Sequence, residues 1–108
     1  MALLWYFLAG LFAWNAIPHL VKGITGQSHM TPFGKVSSPS VNVIYAAINV
    51  VFALYMFGLA SGKGGLTLPW EASLAGANLW AALIGGVFIA LADAWLFSKP
   101  NAHLPWQK

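Results

Sequence analysis

The chain has 108 residues, and only seven of them are charged: five Lys, one Asp and one Glu, against 59% apolar residues. About a quarter of the residues of an average soluble domain are charged, and the seven charges of this chain are too few to cover a water-facing surface. This composition excludes an ordinary soluble globule and a disordered tail. The Lys residues are scattered instead of clustered, which also excludes a nucleic-acid partner. There is no Cys, so disulfides and thiolate metal sites are excluded.

Three apolar stretches are long enough to cross a bilayer, whose core of about 30 Å needs roughly 20 helical residues. They cover residues 2–21, 41–60 and 72–97, and the first loop covers residues 22–40. The first stretch lacks the charged start and the small-residue cleavage site of a signal peptide, so we expect it to be retained. The sequence therefore predicts an all-α membrane protein, with one transmembrane domain of three helices.

Local signals mark the borders of the second and third spans. Ser38-Pro39 is typical of an N-cap followed by proline at the first helical position. Pro69-Trp70-Glu71 is predicted to open the third helix, with a carboxylate at the positive end of the helix dipole. Lys99-Pro100 is predicted to close it.

The distribution of Lys predicts the orientation. With three crossings, Lys22, Lys35, Lys99 and Lys108 share one side of the membrane, and Lys63 lies on the other side with the N-terminus. The side richer in Lys is normally cytoplasmic. We therefore expect the N-terminus outside and the C-terminus in the cytoplasm.

Small residues predict how the helices pack. In lipid, small side chains let helix backbones approach closely, although Ala and Gly are common in membrane helices in general. The third span is expected to be the central packing element. Small residues recur at every fourth position of this span in two separate rows. One row is Ser73, Ala77, Ala81 and Gly85, and the other is Ala82, Gly86 and Ala90. On the second span, Asn42 and Asn49 share a packed face, and Asn49 needs a partner on the third span or on another chain.

Asp93 is the only acid inside a predicted span. An intramembrane carboxylate is by default a candidate for proton or cation handling. The alternative is a structural ion pair of Asp93 with Lys99, Lys22 or a neighbouring subunit, since Asp93 lies only about four residues from the end of the span.

The histidines are weaker candidates. Asn15 and His19 are spaced four apart, which fits a hydrogen bond between them or a shared ligand. His19, His29 and His103 lie on the same side as Asp93, but no pair has metal-site spacing, so no metal is predicted. As an alternative, His19 could contact a cofactor, either a haem or another pigment. Bound lipid is the only small molecule expected, and no arrangement of residues predicts an enzyme.

The first loop carries the most distinctive sequence. Its segments are Pro18-His-Leu-Val-Lys-Gly-Ile-Thr-Gly-Gln, Thr31-Pro-Phe-Gly and Ser37-Ser-Pro-Ser-Val-Asn. Over about residues 15–49 this pattern resembles a class of uncharacterised small bacterial membrane proteins with three spans. The resemblance implies a multi-pass protein of the bacterial inner membrane, and it implies no activity. Because the loop is apolar, we expect it to fold back onto the helix ends or to dock on a partner.

These features predict a non-catalytic protein, with an accessory or structural subunit of a larger membrane complex as the first hypothesis. Other membrane subunits and lipid are then its expected partners. One alternative is a self-assembling pore or holin-like protein, although no helix has a broad polar face. The other is a small transporter, or an ion or cofactor site, that uses Asp93 and the histidines.

Overall fold

The structure, a computed structural model, describes residues 1–99 and 103–107. The elements in chain order are α1 (Ala2–Ile24), β1 (His29–Thr31), β2 (Gly34–Ser37), α2 (Pro39–Ser61), a 3₁₀ helix (Pro69–Glu71) and α3 (Ala77–Phe97). The prediction of three helices long and apolar enough to cross a membrane is confirmed. Pro100 and Lys108, which the sequence analysis used for the end of the third span and for the orientation, lie outside the described residues.

α1 is the central helix of the bundle. It packs along both α2 and α3, whereas α2 and α3 have almost no contact within the described residues. The prediction that the third span is central is therefore wrong. The physical reason is that α1 itself carries small residues toward both neighbours, and Ala9, Gly10 and Ala16 are buried there.

The contact between α1 and α3 depends on glycine. A methyl group on Gly10 would collide with the carbonyl of Ala82, and one on Gly85 would collide with the carbonyl of Phe7. A methyl on Gly86 would lie 2.5 Å from atoms of the Trp14 ring. The two helix backbones therefore approach each other closely, as small residues permit.

Only part of the predicted small-residue rows forms this contact. Ala82, Gly85 and Gly86 are buried, Ala81 is half-buried, and Ser73, Ala77 and Ala90 are exposed. Residues four apart differ by about 40° around a helix of 3.6 residues per turn, so a row of every fourth residue drifts off a straight contact. Ser73 also precedes α3 and is not on the helix at all.

The connection between α2 and α3 folds back along α2. The backbone N–H of Thr67 donates to the carbonyl of Leu54 over 3.0 Å. Farther along this connection, Ala72 and Leu74 pack with Tyr6 and Phe57.

This arrangement delays the start of α3 to Ala77, five residues after the predicted position. Pro69–Glu71 forms a separate 3₁₀ helix that ends at the extended residue Ala72, and Gly76 has a φ of 56° just before α3. The Glu71 carboxylate accepts from the N–H of Leu68 at 3.1 Å, so it does not cap α3 as expected.

The first loop contains the antiparallel hairpin of β1 and β2, so the fold is mostly, and not entirely, helical. α1 continues through Pro18 to Ile24, and the hairpin lies against the end of the bundle where α1 and α3 end and α2 begins, called here the first-loop end. Met30, Thr31 and Ser37 are buried, whereas Phe33 and Val36 are exposed. The loop thus folds back, with Met30 alone among the hairpin's large apolar side chains fully buried.

Candidate functional site

A cleft of about 240 Å³ lies between α2 and α3 at the first-loop end. It exists because α1 separates the other two helices and forms the floor. The hairpin and the C-terminal segment line it as well, and the Trp106 indole N–H and the Gln107 amide donate to the carbonyls of Pro32 and Thr31 at 3.1 and 2.6 Å. The lining residues are Asn15, His19, Met30, Thr31, Pro32, Tyr45, Ile89, Asp93, Leu96, Phe97, Leu104 and Trp106.

A buried polar network joins α1 to α2 beside the cleft. The Asn15 amide donates to Oδ1 of Asn49 at 3.1 Å, and Asn49 in turn donates to the carbonyl of Tyr45 at 2.9 Å. His19 Nδ1 lies 2.8 Å from Oδ1 of Asn42. Asn49 therefore finds its partner on α1, which differs from the predicted third span or another chain. The considered hydrogen bond between Asn15 and His19 does not form, because each side chain pairs across to α2.

Asn42 connects this network to the hairpin. It is fully buried, and its amide nitrogen lies within 3.2 Å of the carbonyl oxygens of His29, Ser37 and Ser38. Since that nitrogen donates to carbonyls, the Oδ1 atom must be the acceptor for His19, which fixes the proton on Nδ1 of His19. In the neutral ring Nε2 is then a hydrogen-bond acceptor, and no described residue hydrogen-bonds to it.

His29 links the hairpin to both α1 and α3. Its ring lies 5.3 Å from the ring of His19 and 4.3 Å from that of Phe97, measured between centroids. Its Nε2 atom is buried and has no hydrogen-bond partner among the described residues. Burial, followed by the proximity of His19 and Lys22, lowers the pKa of His29 below its usual range. A neutral imidazole is therefore favoured at this junction.

Asp93 is half-buried and lines the cleft from α3. Neither Lys considered as its partner pairs with it. The ammonium of Lys99 lies 4.1 Å from the ring centroid of Trp95, and that of Lys22 donates to Gln27 at 2.9 Å. Lys99 lies two residues beyond Phe97, the last residue of α3. Within residues 1–99 and 103–107, no cation forms an ion pair with this carboxylate.

Asp93 and Phe97 also line a second concavity, which faces outward between α1 and α3. This concavity, called the groove, has a volume of about 450 Å³. Its other lining residues are Trp14, Ile17, Pro18, Ala90 and Ala94. Asp93 is its only ionisable lining residue. The cleft, whose lining includes several polar side chains, and the almost wholly apolar groove therefore share this carboxylate.

The cleft thus brings together three of the predicted candidates, Asn15, His19 and Asp93, but not Lys99. In the described part of the chain, no three His, Cys, Asp or Glu side chains are placed to hold a metal ion. The chemistry available is cation binding by one carboxylate, with amide, imidazole and aromatic groups around it. Tyr45 and Phe97 are not among the site residues that the sequence predicts, although their helical spacing from Asn49 and Asp93 places each pair on one face. For Trp106 no sequence signal existed.

In comparisons with known proteins, the chain matches no family model, no curated protein and no solved structure.

Proposed function

We propose that the chain is a non-catalytic integral membrane protein that binds a cation at Asp93. The observation that carries the proposal is the Asp93 carboxylate, which lies within the apolar helix α3, lines the cleft with Asn15 and His19, and has no ion-pair partner among the described residues. Ionised side chains inside a membrane are costly unless a partner offsets their charge. A bound cation is the simplest partner for a carboxylate that has none in the part of the chain that the structure describes.

The neighbouring polar groups support this assignment. Asn42 and Asn49 are buried and hydrogen-bonded within the chain, so their role in joining α1 to α2 accounts for them. Asp93 makes no such bond among the described residues, and packing alone does not account for a charged group here. Tyr45 on α2 and His19 on α1 also line the cleft, where their side chains offer further polar contacts to a bound cation or its water.

Carbodiimide labelling of the full chain in lipid nanodiscs tests this function. Dicyclohexylcarbodiimide converts accessible protonated carboxyl groups in apolar surroundings to stable N-acylureas, which peptide mass spectrometry localises. Glu71 is the matched control, because it is the only other acidic side chain and is exposed. We expect Na⁺, K⁺ or tetramethylammonium to slow labelling of Asp93 at least threefold, and to leave Glu71 unaffected. Equal rates at Asp93 with and without each cation would overturn the proposal.

A subunit of a larger membrane complex is the second candidate. Ala90 and Ala94 are exposed on α3, and small residues on an outer face let a helix of another chain approach. Because the chain has no Cys, an Ala94→Cys variant provides a single crosslinking position. A specific crosslink in native membranes, absent from a Trp80→Cys control, would support this function. Recovery of the chain only as a free monomer in mild detergent would count against it.

We further propose that the chain lies in a bacterial inner membrane with its N-terminus outside. The excess of Lys at the first-loop end supports this orientation. Lys35→Cys and Lys63→Cys variants test it, because a membrane-impermeant maleimide added to intact cells should label only the second. The reverse labelling pattern would require the opposite orientation.

A further inference from the structure

The cleft and the groove share Asp93 and Phe97, and this junction restricts the kind of cation that fits. An inorganic ion needs only the cleft, where the polar side chains lie. The groove adds about 450 Å³ of almost wholly apolar space on the outer surface of the α1–α3 pair. A ligand that uses both spaces must therefore carry its positive charge next to a bulky apolar part.

The groove is shaped by side chains of different size. On α1, Trp14 and Ile17 are exposed at 37% and 55% and stand up as one wall. On α3, Ala90 and Ala94 leave the floor open, and Phe97 closes the end nearest Asp93. Because Gly86 lets the Trp14 ring pack directly against α3, this wall is fixed at its base.

We infer that the ligand of this site is an amphiphilic cation, whose charged head contacts Asp93 and whose apolar part fills the groove. The inference rests on the proposed function, since it takes Asp93 as the anionic anchor. Charge complementarity favours this occupant over a helix of another chain, because an apolar helix seated here would cover the carboxylate and leave it unpaired. The faces of Trp14 and Phe97 add a cation–π attraction for an organic cation.

The outward opening of the groove also defines the route. If α1 and α3 span the bilayer, the groove faces lipid, so an amphiphilic cation dissolved in the membrane reaches Asp93 laterally. The charged head of this ligand then passes directly from the lipid to the Asp93 carboxylate and does not cross the cleft. An inorganic cation would have to enter from the water at the first-loop end.

Competition against carbodiimide labelling of Asp93 tests the inference in the full chain. The probes are tetraphenylphosphonium, which is large and apolar, tetramethylammonium, which is small, and triphenylphosphine oxide, which is apolar and neutral. We expect tetraphenylphosphonium to protect Asp93 at a concentration at least tenfold lower than tetramethylammonium. The neutral compound should not protect, and labelling of Glu71 should not change.

An Ala90→Leu variant separates the groove from the carboxylate. The larger side chain fills the floor, so it should remove the tenfold advantage of tetraphenylphosphonium and leave protection by tetramethylammonium intact. Ala77→Leu is the matched control, because Ala77 is an equally exposed small residue of α3 that does not line the groove.

Three results would overturn the inference. If tetramethylammonium protects as well as tetraphenylphosphonium, cation binding at Asp93 stands and the amphiphilic ligand does not. If neither cation protects, both proposals fail. If Ala94→Cys crosslinks to a second copy or to another chain and tetraphenylphosphonium does not protect, a partner helix occupies the groove instead.

Discussion

The two contacts of α1 are built on different principles. Toward α2, polar side chains pair with each other, as in Asn15 with Asn49 and His19 with Asn42. Toward α3, glycines bring the backbones together, and the one polar side chain, Asp93, has no partner among the described residues. A polar side chain in an apolar helix can therefore differ in what it does. The paired side chains join α1 to α2, whereas Asp93 has no such partner among the described residues, and the proposed cation binding depends on that difference.

The largest expected effect comes from the glycine contact. Gly85→Leu places a side chain against the carbonyl of Phe7, and no side-chain rotation relieves a clash with backbone. We expect a loss of about 3 kcal/mol in the free energy of unfolding, the upper range for overpacking. Equilibrium unfolding in mixed micelles measures it. The Ala77→Leu change at an exposed position of the same helix should lower the free energy of unfolding by less than a quarter of that amount. Equal decreases for the two variants would show that the stability of α3 does not depend on this close approach.

The next effect concerns the polar contact and its link to the hairpin. Asn42→Ala removes the bond to His19, and it takes the amide donor from three carbonyl groups whose bonds are buried or partly buried. Because such groups are left without a hydrogen bond, we expect the free energy of unfolding to fall by about 2 kcal/mol. The exposed Ser40→Ala change is the control in the same unfolding experiment. If both variants are equally stable, the buried network does not stabilise the α1–α2 pair.

A smaller effect is expected for the pair of Asn15 and Asn49, which lies farther from the first-loop end than the pair of His19 and Asn42. A double-mutant cycle of Asn15→Ala and Asn49→Ala should give a coupling energy of about 0.6 kcal/mol, the average for hydrogen bonds between membrane helices. Since Asp93 has no bond to either residue, combining Asn49→Ala with Asp93→Asn should give additive losses. Coupling of Asn49 to Asp93 in place of Asn15 would contradict the division between the two contacts.

The smallest effect is a pH dependence confined to the hairpin. Burial, then proximity to His19 and Lys22, lowers the pKa of His29 in the folded chain from the usual 6.5. The undocked hairpin therefore binds more protons as the pH falls below about 6.5, so docking weakens there and is unaffected by His29 at higher pH. The mobility of a nitroxide spin label on a Val36→Cys variant should rise below pH 6.5.

His29→Phe serves as the control for this titration, because it keeps an aromatic ring against Phe97 and cannot take up a proton. The label on the hairpin should then have the same mobility from pH 7.5 to pH 5.5. A rise that persists in this variant would assign the pH dependence to another group.

The sequence was sufficient for the number of helices because hydropathy is a local property. It also singled out Asn15, His19, Asn42, Asn49 and Asp93, which are rare polar side chains in apolar spans. It could not supply their pairing. Helical spacing shows which residues share a face, but not which helix that face meets. The sequence therefore predicts a partner for Asn49 on the third span or on another chain and a central third span, whereas α1 provides the partner and is the central helix.

The remaining errors have a different origin. The hairpin strands have only three and four residues, too few for an alternating pattern, and they are held by Asn42 from the first turn of α2. The start of α3 was misplaced because residues 72–76 are apolar enough for a helix, yet Ala72 and Leu74 fill space beside Tyr6 and Phe57. The hairpin and the start of α3 both depend on tertiary packing, which a local stretch of sequence does not reveal.

The central position of α1 has a consequence for biogenesis. Asn15 and His19 are synthesised before their partners, which follow 34 and 23 residues later. At roughly 5–20 residues per second, the gap for Asn15 lasts about 2–7 s. During that time the amide must be shielded by the insertion machinery or remain near water. The α1–α2 pair then forms first, and α3 arrives last to complete the cleft, so we expect a nascent chain lacking α3 to have its polar network but no cleft.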